Sequence, residues 1–151
     1  MPKEYFKGKR VLVTGACGTV GGELTRQLLE EYEVASLVGI DHNESELVFT
    51  EGAFSRRYDA KFFLADCRDR DSVTQWADGV DVIFHTAANK HVYLCEHSPM
   101  EAVHTNITGV QNMIHAALAN KVDRMIFTSS DKAVNPTSFM GATKRIAELY
   151  A

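Results

Sequence analysis

Three glycines near the N-terminus have the spacing of a phosphate-binding turn. Gly15, Gly18 and Gly21 lie at G-x-x-G-x-x-G spacing directly after the apolar run 11–14, and a helical pattern follows them. The first glycine permits a tight turn, the second lets backbone amides approach a pyrophosphate, and the third lets the helix pack against the strand. The first helical turn would offer amides and a positive dipole end to the phosphates. No Walker A lysine follows, which excludes a P-loop.

Acidic residues follow the next two strand-like runs. Asp41 directly follows the run 35–40, and a carboxylate there can accept hydrogen bonds from both ribose hydroxyls of an adenosine. It would also repel a 2′-phosphate, so the sequence favours NAD over NADP. Asp66 follows the run 61–65, at the place where the adenine ring would lie, and capping of the next helix is an alternative role for it.

The elements that must position these residues alternate along the whole chain. Strands are predicted at residues 11–14, 35–40, 61–65, 81–86 and 124–129. Helices are predicted at residues 20–32, 45–54, 71–76, 99–120 and from 140 to the end. Ser98 and Glu101 have capping-box spacing at the start of the long helix, with Pro99 at its first position. Right-handed crossovers between such strands predict a doubly wound, Rossmann-like parallel α/β sheet of order 3-2-1-4-5.

The composition excludes several classes of protein. The 151 residues suit one domain, and 45% apolar with 24% charged residues is typical of globular chains. A net charge of −4 argues against non-specific binding to nucleic acid, which depends on basic charge. No signal-peptide pattern or membrane-length apolar run is present, so we expect no membrane span and a cytoplasmic location. Three widely spaced cysteines suit a reducing compartment.

A metal site is not expected from this sequence. His91, Cys95 and His97 are close in sequence, but their spacing matches no familiar zinc motif and a fourth ligand is missing. His85 lies inside the apolar strand at 81–86, so we expect it to be a packed core histidine and not a ligand or a base.

Several segments resemble one enzyme family. The glycine spacing resembles that of the extended short-chain dehydrogenase/reductases. Four further segments narrow the resemblance to nucleotide-sugar 4,6-dehydratases and epimerases of polysaccharide biosynthesis: Ala-Ala-Asn-Lys-His-Val at 87–92, Thr-Asn-Ile-Thr-Gly-Val-Gln-Asn at 105–112, Ser-Ser-Asp-Lys-Ala-Val-Asn-Pro-Thr at 129–137, and Met-Gly-Ala-Thr-Lys-Arg at 140–145. The resemblance covers essentially the whole chain, and the third segment is its most specific part.

The resemblance implies an NAD-dependent dehydratase, with or without C5 epimerisation, that acts on a UDP-N-acetylhexosamine. Such enzymes oxidise the sugar at C4, eliminate water across C5–C6 and return the hydride to C6. The implied acid and base are Asp131 and Lys132. A carboxyl acts as an acid only when protonated, and a lysine acts as a base only when neutral. The predicted catalytic residues are Ser130, Asp131, Lys132 and Lys144. The predicted cofactor-binding residues are Gly15, Gly18, Thr19, Val20, Gly21, Asp41, Asp66, Ala87, Ala88, Lys90 and Lys144.

The sequence departs from the superfamily at one catalytic position. The superfamily pairs a tyrosine with a lysine four residues later, and here Lys144 is preceded by Met140. A thioether cannot exchange a proton, although Met-x-x-x-Lys also occurs in one branch of the dehydratases. The base for the sugar 4-hydroxyl is therefore open among Lys132, Ser129 and Ser130, with Lys132 favoured.

Other roles also stay open at this stage. Asn106 either supports the active-site backbone, as in the superfamily, or is an ordinary helical residue. The family adds further strands and a substrate domain, so we expect residues 1–151 to be the NAD-binding domain of a longer enzyme or a degenerate half. Alternatives to the dehydratase are a 4-epimerase and a non-catalytic NAD-binding module. The apolar edge at 125–128 and the last two long helices lead us to expect a homo-oligomer.

Overall fold

The computed structural model describes residues 3–151 and contains one parallel sheet with helices on both faces. Its strands are β1 (Arg10–Thr14), β2 (Ser36–Asp41), β3 (Ala60–Leu64), β4 (Val82–His85) and β5 (Arg124–Phe127). The order is β3-β2-β1-β4-β5, and every neighbouring pair is parallel. The predicted Rossmann-like sheet and its strand order are confirmed.

Eight α-helices connect and cover these strands in the described part of the chain. They are α1 (Lys3–Phe6), α2 (Thr19–Glu30), α3 (Glu44–Phe54), α4 (Arg70–Trp76), α5 (Val92–His97), α6 (Pro99–Val103), α7 (Gly109–Ala119) and α8 (Phe139–Tyr150). A π-helical segment, His104–Thr108, joins α6 to α7, and a 3₁₀ turn, Asp131–Ala133, follows β5. The sequence did not predict the short helices α1 and α5. No helix within residues 3–151 has the length and apolar composition needed to cross a bilayer.

Helices cover both faces of the central strands β1, β2 and β4, whose residues are mostly apolar and buried. Successive residues of a strand point to opposite faces, so Val11 and Val13 pack with Leu28 of α2 on one side. Leu12 and Ile83 pack with Met113 of α7 on the other side. This arrangement is typical of parallel sheets and leaves the carboxyl ends of the strands open at one edge.

The helix predicted over residues 99–120 is interrupted, and its capping box is wrong. The π turn at His104–Thr108 holds an extra residue, and Asn106 at its centre is buried, 1% exposed, against the loop after β4. The Ser98 side chain makes no capping hydrogen bond. Glu101 cannot complete the box because its carboxylate pairs with Arg68 at 2.7 Å instead. Tertiary partners therefore override the local pattern at both places.

His85 is a core residue, as the sequence predicts. Its Nδ1 shares a 2.6 Å hydrogen bond with Thr14 Oγ1, and full burial lowers the pKa of the imidazole to about 3. The Ala87 amide donates to the same hydroxyl at 3.3 Å. The neutral His85 thus joins the ends of β1 and β4 to the loop that follows β4.

Candidate functional site

A cleft of about 1160 Å³ opens at the carboxyl edge of the sheet. It extends from the loop after β1 past the ends of β2 and β3 to the loop after β4, and then to the end of β5 and the first turns of α8. The cleft lies where the strand order reverses between β1 and β4. Open α/β sheets bind their ligands at this position.

The glycine turn is built by close backbone contacts. Gly15 has φ +69, and a Cβ atom there would lie 2.8 Å from the Ala87 nitrogen. A Cβ at Gly21 would overlap the carbonyl oxygen of Gly15. Gly18 precedes α2 as its N-cap residue and offers no side chain to the amides of the first turn. Those amides, which include Thr19 and Val20 on the cleft wall, are open to an anion.

Asp41 lies at the end of β2 on the cleft wall, and it is 8% exposed. Its Oδ2 accepts from the Cys17 amide at 3.0 Å, and its Oδ1 accepts from the Asn43 amide at 3.0 Å. The carboxylate thereby joins the glycine turn to the start of α3. Each oxygen keeps acceptor capacity for a diol, because a carboxylate oxygen carries two lone pairs.

Asp66 lies beyond the end of β3 and also lines the cleft. The Arg68 guanidinium, which donates to it at 2.8 Å from Nε, lowers the pKa of the Asp66 carboxyl. The alternative that Asp66 caps the next helix is wrong. Asp69 caps α4, since its carboxylate accepts from the amides of Asp71 and Ser72 at 3.1 Å each.

The loop after β4 brings Ala87, Ala88 and Lys90 to the cleft wall. Asn106 fixes this loop, because it accepts from the Asn89 amide at 2.8 Å and donates to the Asn89 carbonyl at 3.0 Å. Asn106 also donates to Thr143 Oγ1 of α8 at 3.0 Å. It supports the backbone of the site and is not an ordinary helical residue.

Sequence reasoning assigned no role to Asn89 or Thr143. Both belong to segments of the family resemblance, 87–92 and 140–145, so the signal was present in the sequence. Asn89 and Thr143 are the hydrogen-bond partners of Asn106, which the π turn places between the loop after β4 and α8.

The loop after β5 brings the predicted acid and base together. Ser130 Oγ donates to Asp131 Oδ1 at 3.0 Å, and Lys132 Nζ lies 3.4 Å from the same oxygen. Ser130 and Lys132 line the cleft, whereas the Asp131 side chain is 87% exposed. The Ser130 hydroxyl, with Lys132 beside it, lowers the pKa of the Asp131 carboxyl. This shift is opposite to the one that a proton donor requires, and nothing in residues 3–151 buries the carboxyl to offset it.

The methionine–lysine pair of α8 lies on the cleft wall. Lys144 is 5% exposed, and its Nζ donates to the Thr128 carbonyl oxygen at 2.9 Å. Burial lowers the pKa of this amine. Met140, one helical turn earlier, packs with Cys95 and Ala102 in a small apolar cluster. The predicted i, i+4 juxtaposition is present, with a thioether in place of a phenol.

No three His, Cys, Asp or Glu side chains within residues 3–151 converge closely enough to hold a metal ion. The Cys95 thiol points to the Asn89 carbonyl oxygen at 3.7 Å, and the His97 ring contacts the Tyr93 carbonyl oxygen at 2.9 Å. All three cysteines of the chain are free thiols.

The fold is that of the N-terminal part of an extended short-chain dehydrogenase/reductase. Residues 11–151 match the family described as "Polysaccharide biosynthesis protein". The chain belongs to this family of nucleotide-sugar dehydratases and epimerases.

Two curated relatives and one solved structure are similar to nearly all of the chain. A Methanocaldococcus jannaschii protein described as an uncharacterized membrane protein is 42% identical over 95% of this chain and 43% of its own length. An inverting UDP-N-acetylglucosamine 4,6-dehydratase of Campylobacter jejuni is 37% identical over 92% of this chain and 41% of its own length. The structure of Pen from Bacillus thuringiensis is 39% identical, with a TM-score of 0.92 over 96% of this chain and 44% of Pen.

A more distant structure shares the fold. The dTDP-glucose 4,6-dehydratase DesIV of Streptomyces venezuelae, solved with NAD bound, superposes with a TM-score of 0.82 at 24% identity. The alignment covers 93% of this chain and 49% of DesIV. The chain thus spans less than half the length of each of these relatives.

Proposed function

We propose that this chain is the NAD-binding part of a nucleotide-sugar 4,6-dehydratase that acts on a UDP-N-acetylhexosamine, with or without C5 epimerisation. One observation carries the proposal: a single cleft holds the glycine turn and Asp41 at one end and Lys132 with Lys144 at the other. The similarity to the Campylobacter dehydratase supports this substrate class.

The residues of the cleft fit NAD. The open amides of α2 suit its pyrophosphate, and the close backbone packing at Gly15 and Gly21 that positions them is possible only because neither residue carries a Cβ atom. Asp41 would accept the adenosine ribose hydroxyls, and Asp66 would face the adenine. Ala87, Ala88 and Lys90 would line the path to the nicotinamide. The nicotinamide ribose would accept hydrogen bonds from the N–H groups of Lys144 that do not donate to Thr128.

The residues around the far end of the cleft would move the protons. Bound NAD would supply a reversible hydride acceptor for C4 of the sugar. Lys132 would take the proton from the 4-hydroxyl, because Met140 cannot, and Ser129 and Ser130 remain the alternatives. Ser129 is the weaker one, since its hydroxyl donates to Glu148 at 2.6 Å.

Elimination across C5–C6 would use the adjacent pair. Lys132 would first pass the 4-hydroxyl proton to Asp131, whose Oδ1 lies 3.4 Å from its Nζ. The neutral amine would then accept the C5 proton, and the protonated Asp131 would protonate the departing hydroxyl. Asp131 can do so only when a substrate or another segment covers it, because burial raises the pKa of a carboxyl. The exposed Asp131 together with the buried Met140 also favours a second candidate, a non-catalytic NAD-binding module.

Asp41→Ala will reduce the preference for NAD over NADP. The wild-type chain will bind NAD more tightly than NADP. In the variant the ratio of these two affinities will fall about tenfold, because hydrogen bonds to a charged group contribute about 1.5–3 kcal/mol. Titration calorimetry with both nucleotides measures the ratio. Asp78→Ala, which removes an exposed acidic residue outside the cleft lining, is the matched control and will leave the ratio unchanged. Tighter binding of NADP by the wild-type chain would contradict the assignment.

The chain will also form homo-oligomers at micromolar concentration. β5 pairs only with β4 in the described sheet, and α8 exposes Ile146, Leu149 and Tyr150. Sedimentation will detect the oligomer. Leu149→Lys will shift it toward monomer, whereas Phe49→Lys on α3, an equally exposed apolar residue, will not. A wild-type monomer at these concentrations would refute this prediction.

A further inference from the structure

The proposed function leaves one cation at the adenine end of the cleft without a role. Arg68 lines the cleft next to Asp66, and its side chain is 41% exposed. Its guanidinium lies 2.6 Å from the Asp66 carboxylate and 2.7 Å from that of Glu101. These carboxylates belong to different elements, the loop after β3 and helix α6.

Arg68 fixes the orientation of the Asp66 carboxylate. Asp66 Oδ2 accepts a hydrogen bond from Nε of the guanidinium at 2.8 Å and forms an ion pair with Nη2 at 2.6 Å. Oδ1 accepts from the backbone amide of Arg68 at 2.9 Å. Since each carboxylate oxygen carries two lone pairs, Oδ1 retains one that is not used by Arg68. The carboxylate therefore offers a directed acceptor in the cleft wall.

Arg68 is itself held from two further sides. Its Nη1 donates to Glu101 Oε2 at 2.7 Å, and the Glu101 carbonyl accepts from the Asn89 side chain at 3.0 Å. The Asn112 side chain donates to the carbonyls of Cys67, at 3.0 Å, and Arg68, at 2.9 Å. The guanidinium is thus tied to α6 and to Asp66 of its own loop, and the backbone carbonyl of Arg68 is tied to α7.

A carboxylate of this kind distinguishes between purines. It is ionised and can only accept hydrogen bonds, so it favours a ring with an amino group at C6 and disfavours one with a carbonyl oxygen there. We propose that Arg68 is a positioning residue that sets the preference of the cleft for adenine over 6-oxopurine nucleotides. This inference rests on the proposed binding of NAD in the cleft.

Calorimetric titration with two dinucleotides tests the proposal on the 151-residue chain. The ligands are NAD and nicotinamide hypoxanthine dinucleotide, which carries a carbonyl oxygen in place of the 6-amino group. The wild-type chain will prefer NAD, and Arg68→Met will reduce that preference about three- to tenfold, the range of a partly exposed charged network. Arg68→Lys will retain part of the preference, and Asp66→Asn will lose it.

A neighbouring arginine provides the matched control. Arg70 lies outside the cleft and lines a separate small groove with His115 and Tyr150, so Arg70→Met will leave the preference unchanged. If the wild-type chain binds no NAD, the proposed function fails and this inference fails with it. If the wild-type chain binds NAD but shows no preference, or if Arg68→Met retains it, only the role of Arg68 is overturned.

Discussion

Gly21→Ala will abolish measurable NAD binding and lower the free energy of unfolding by about 2 kcal/mol, a typical cost of overpacking. Gly21 is buried in the first turns of α2, and an added Cβ would overlap the carbonyl oxygen of Gly15. Backbone cannot give way as a flexible side chain can, so α2 must shift away from the turn. The amides that would hold the pyrophosphate shift with it. Calorimetry for NAD and urea unfolding measure the two effects.

The same substitution in another helix is the matched control. Gly52 lies in α3, is exposed, and would place its Cβ in open space. Gly52→Ala will therefore raise the free energy of unfolding by about 0.5–1 kcal/mol, because alanine is the better helix former. Equal effects of the two substitutions, or NAD binding retained by Gly21→Ala, would show that close packing of the turn is not required.

The sheet was predictable from sequence because its signals are local. The apolar run at 11–14 is followed at once by three spaced glycines, and this combination specifies a strand, a turn and a helix with little help from the rest of the chain. Asp41 was predictable for the same reason, since the end of β2 fixes its place at the cleft.

The interruption of the long helix was not predictable in this way. An apolar pattern at helical spacing continues through residues 99–120, and nothing in it indicates an extra residue per turn. The π turn is favoured by contacts of Asn106 with Asn89 and Thr143, which are 17 and 37 residues away in the chain. Local periodicity carries no information about such partners.

The state of the catalytic loop also depends on distant groups. The sequence places Asp131 and Lys132 side by side, and the structure confirms that they are in contact, at 3.4 Å. The protonation of Asp131 follows from what covers it, and in residues 3–151 it is exposed with a lowered pKa. A motif therefore predicts which groups meet, whereas their acidity is set by hydrogen bonds, neighbouring charges and burial together.

In a chain extended to the length of its relatives, Lys132→Ala will reduce dehydratase turnover by about 10²–10⁴, the usual cost of losing a catalytic proton transfer. Lys132 lines the cleft beside Asp131 and is the favoured base for the sugar. Asp131→Asn will have a loss of similar size, because an amide cannot protonate the departing hydroxyl. Steady-state assays with a UDP-N-acetylhexosamine measure both losses.

Met140→Leu provides the contrast within the same cleft. Met140 is 3% exposed and packs with Cys95 and Ala102, so a leucine of similar volume will change turnover less than about tenfold. Lys132→Ala, Asp131→Asn and Met140→Leu will all bind NAD with the affinity of the wild type, since none of these side chains would hold the cofactor. If Met140→Leu reduced turnover as much as Lys132→Ala while NAD binding was unchanged, the assignment of the base to Lys132 would be wrong. The base for the 4-hydroxyl would then have to be sought among Ser129 and Ser130, which line the same end of the cleft.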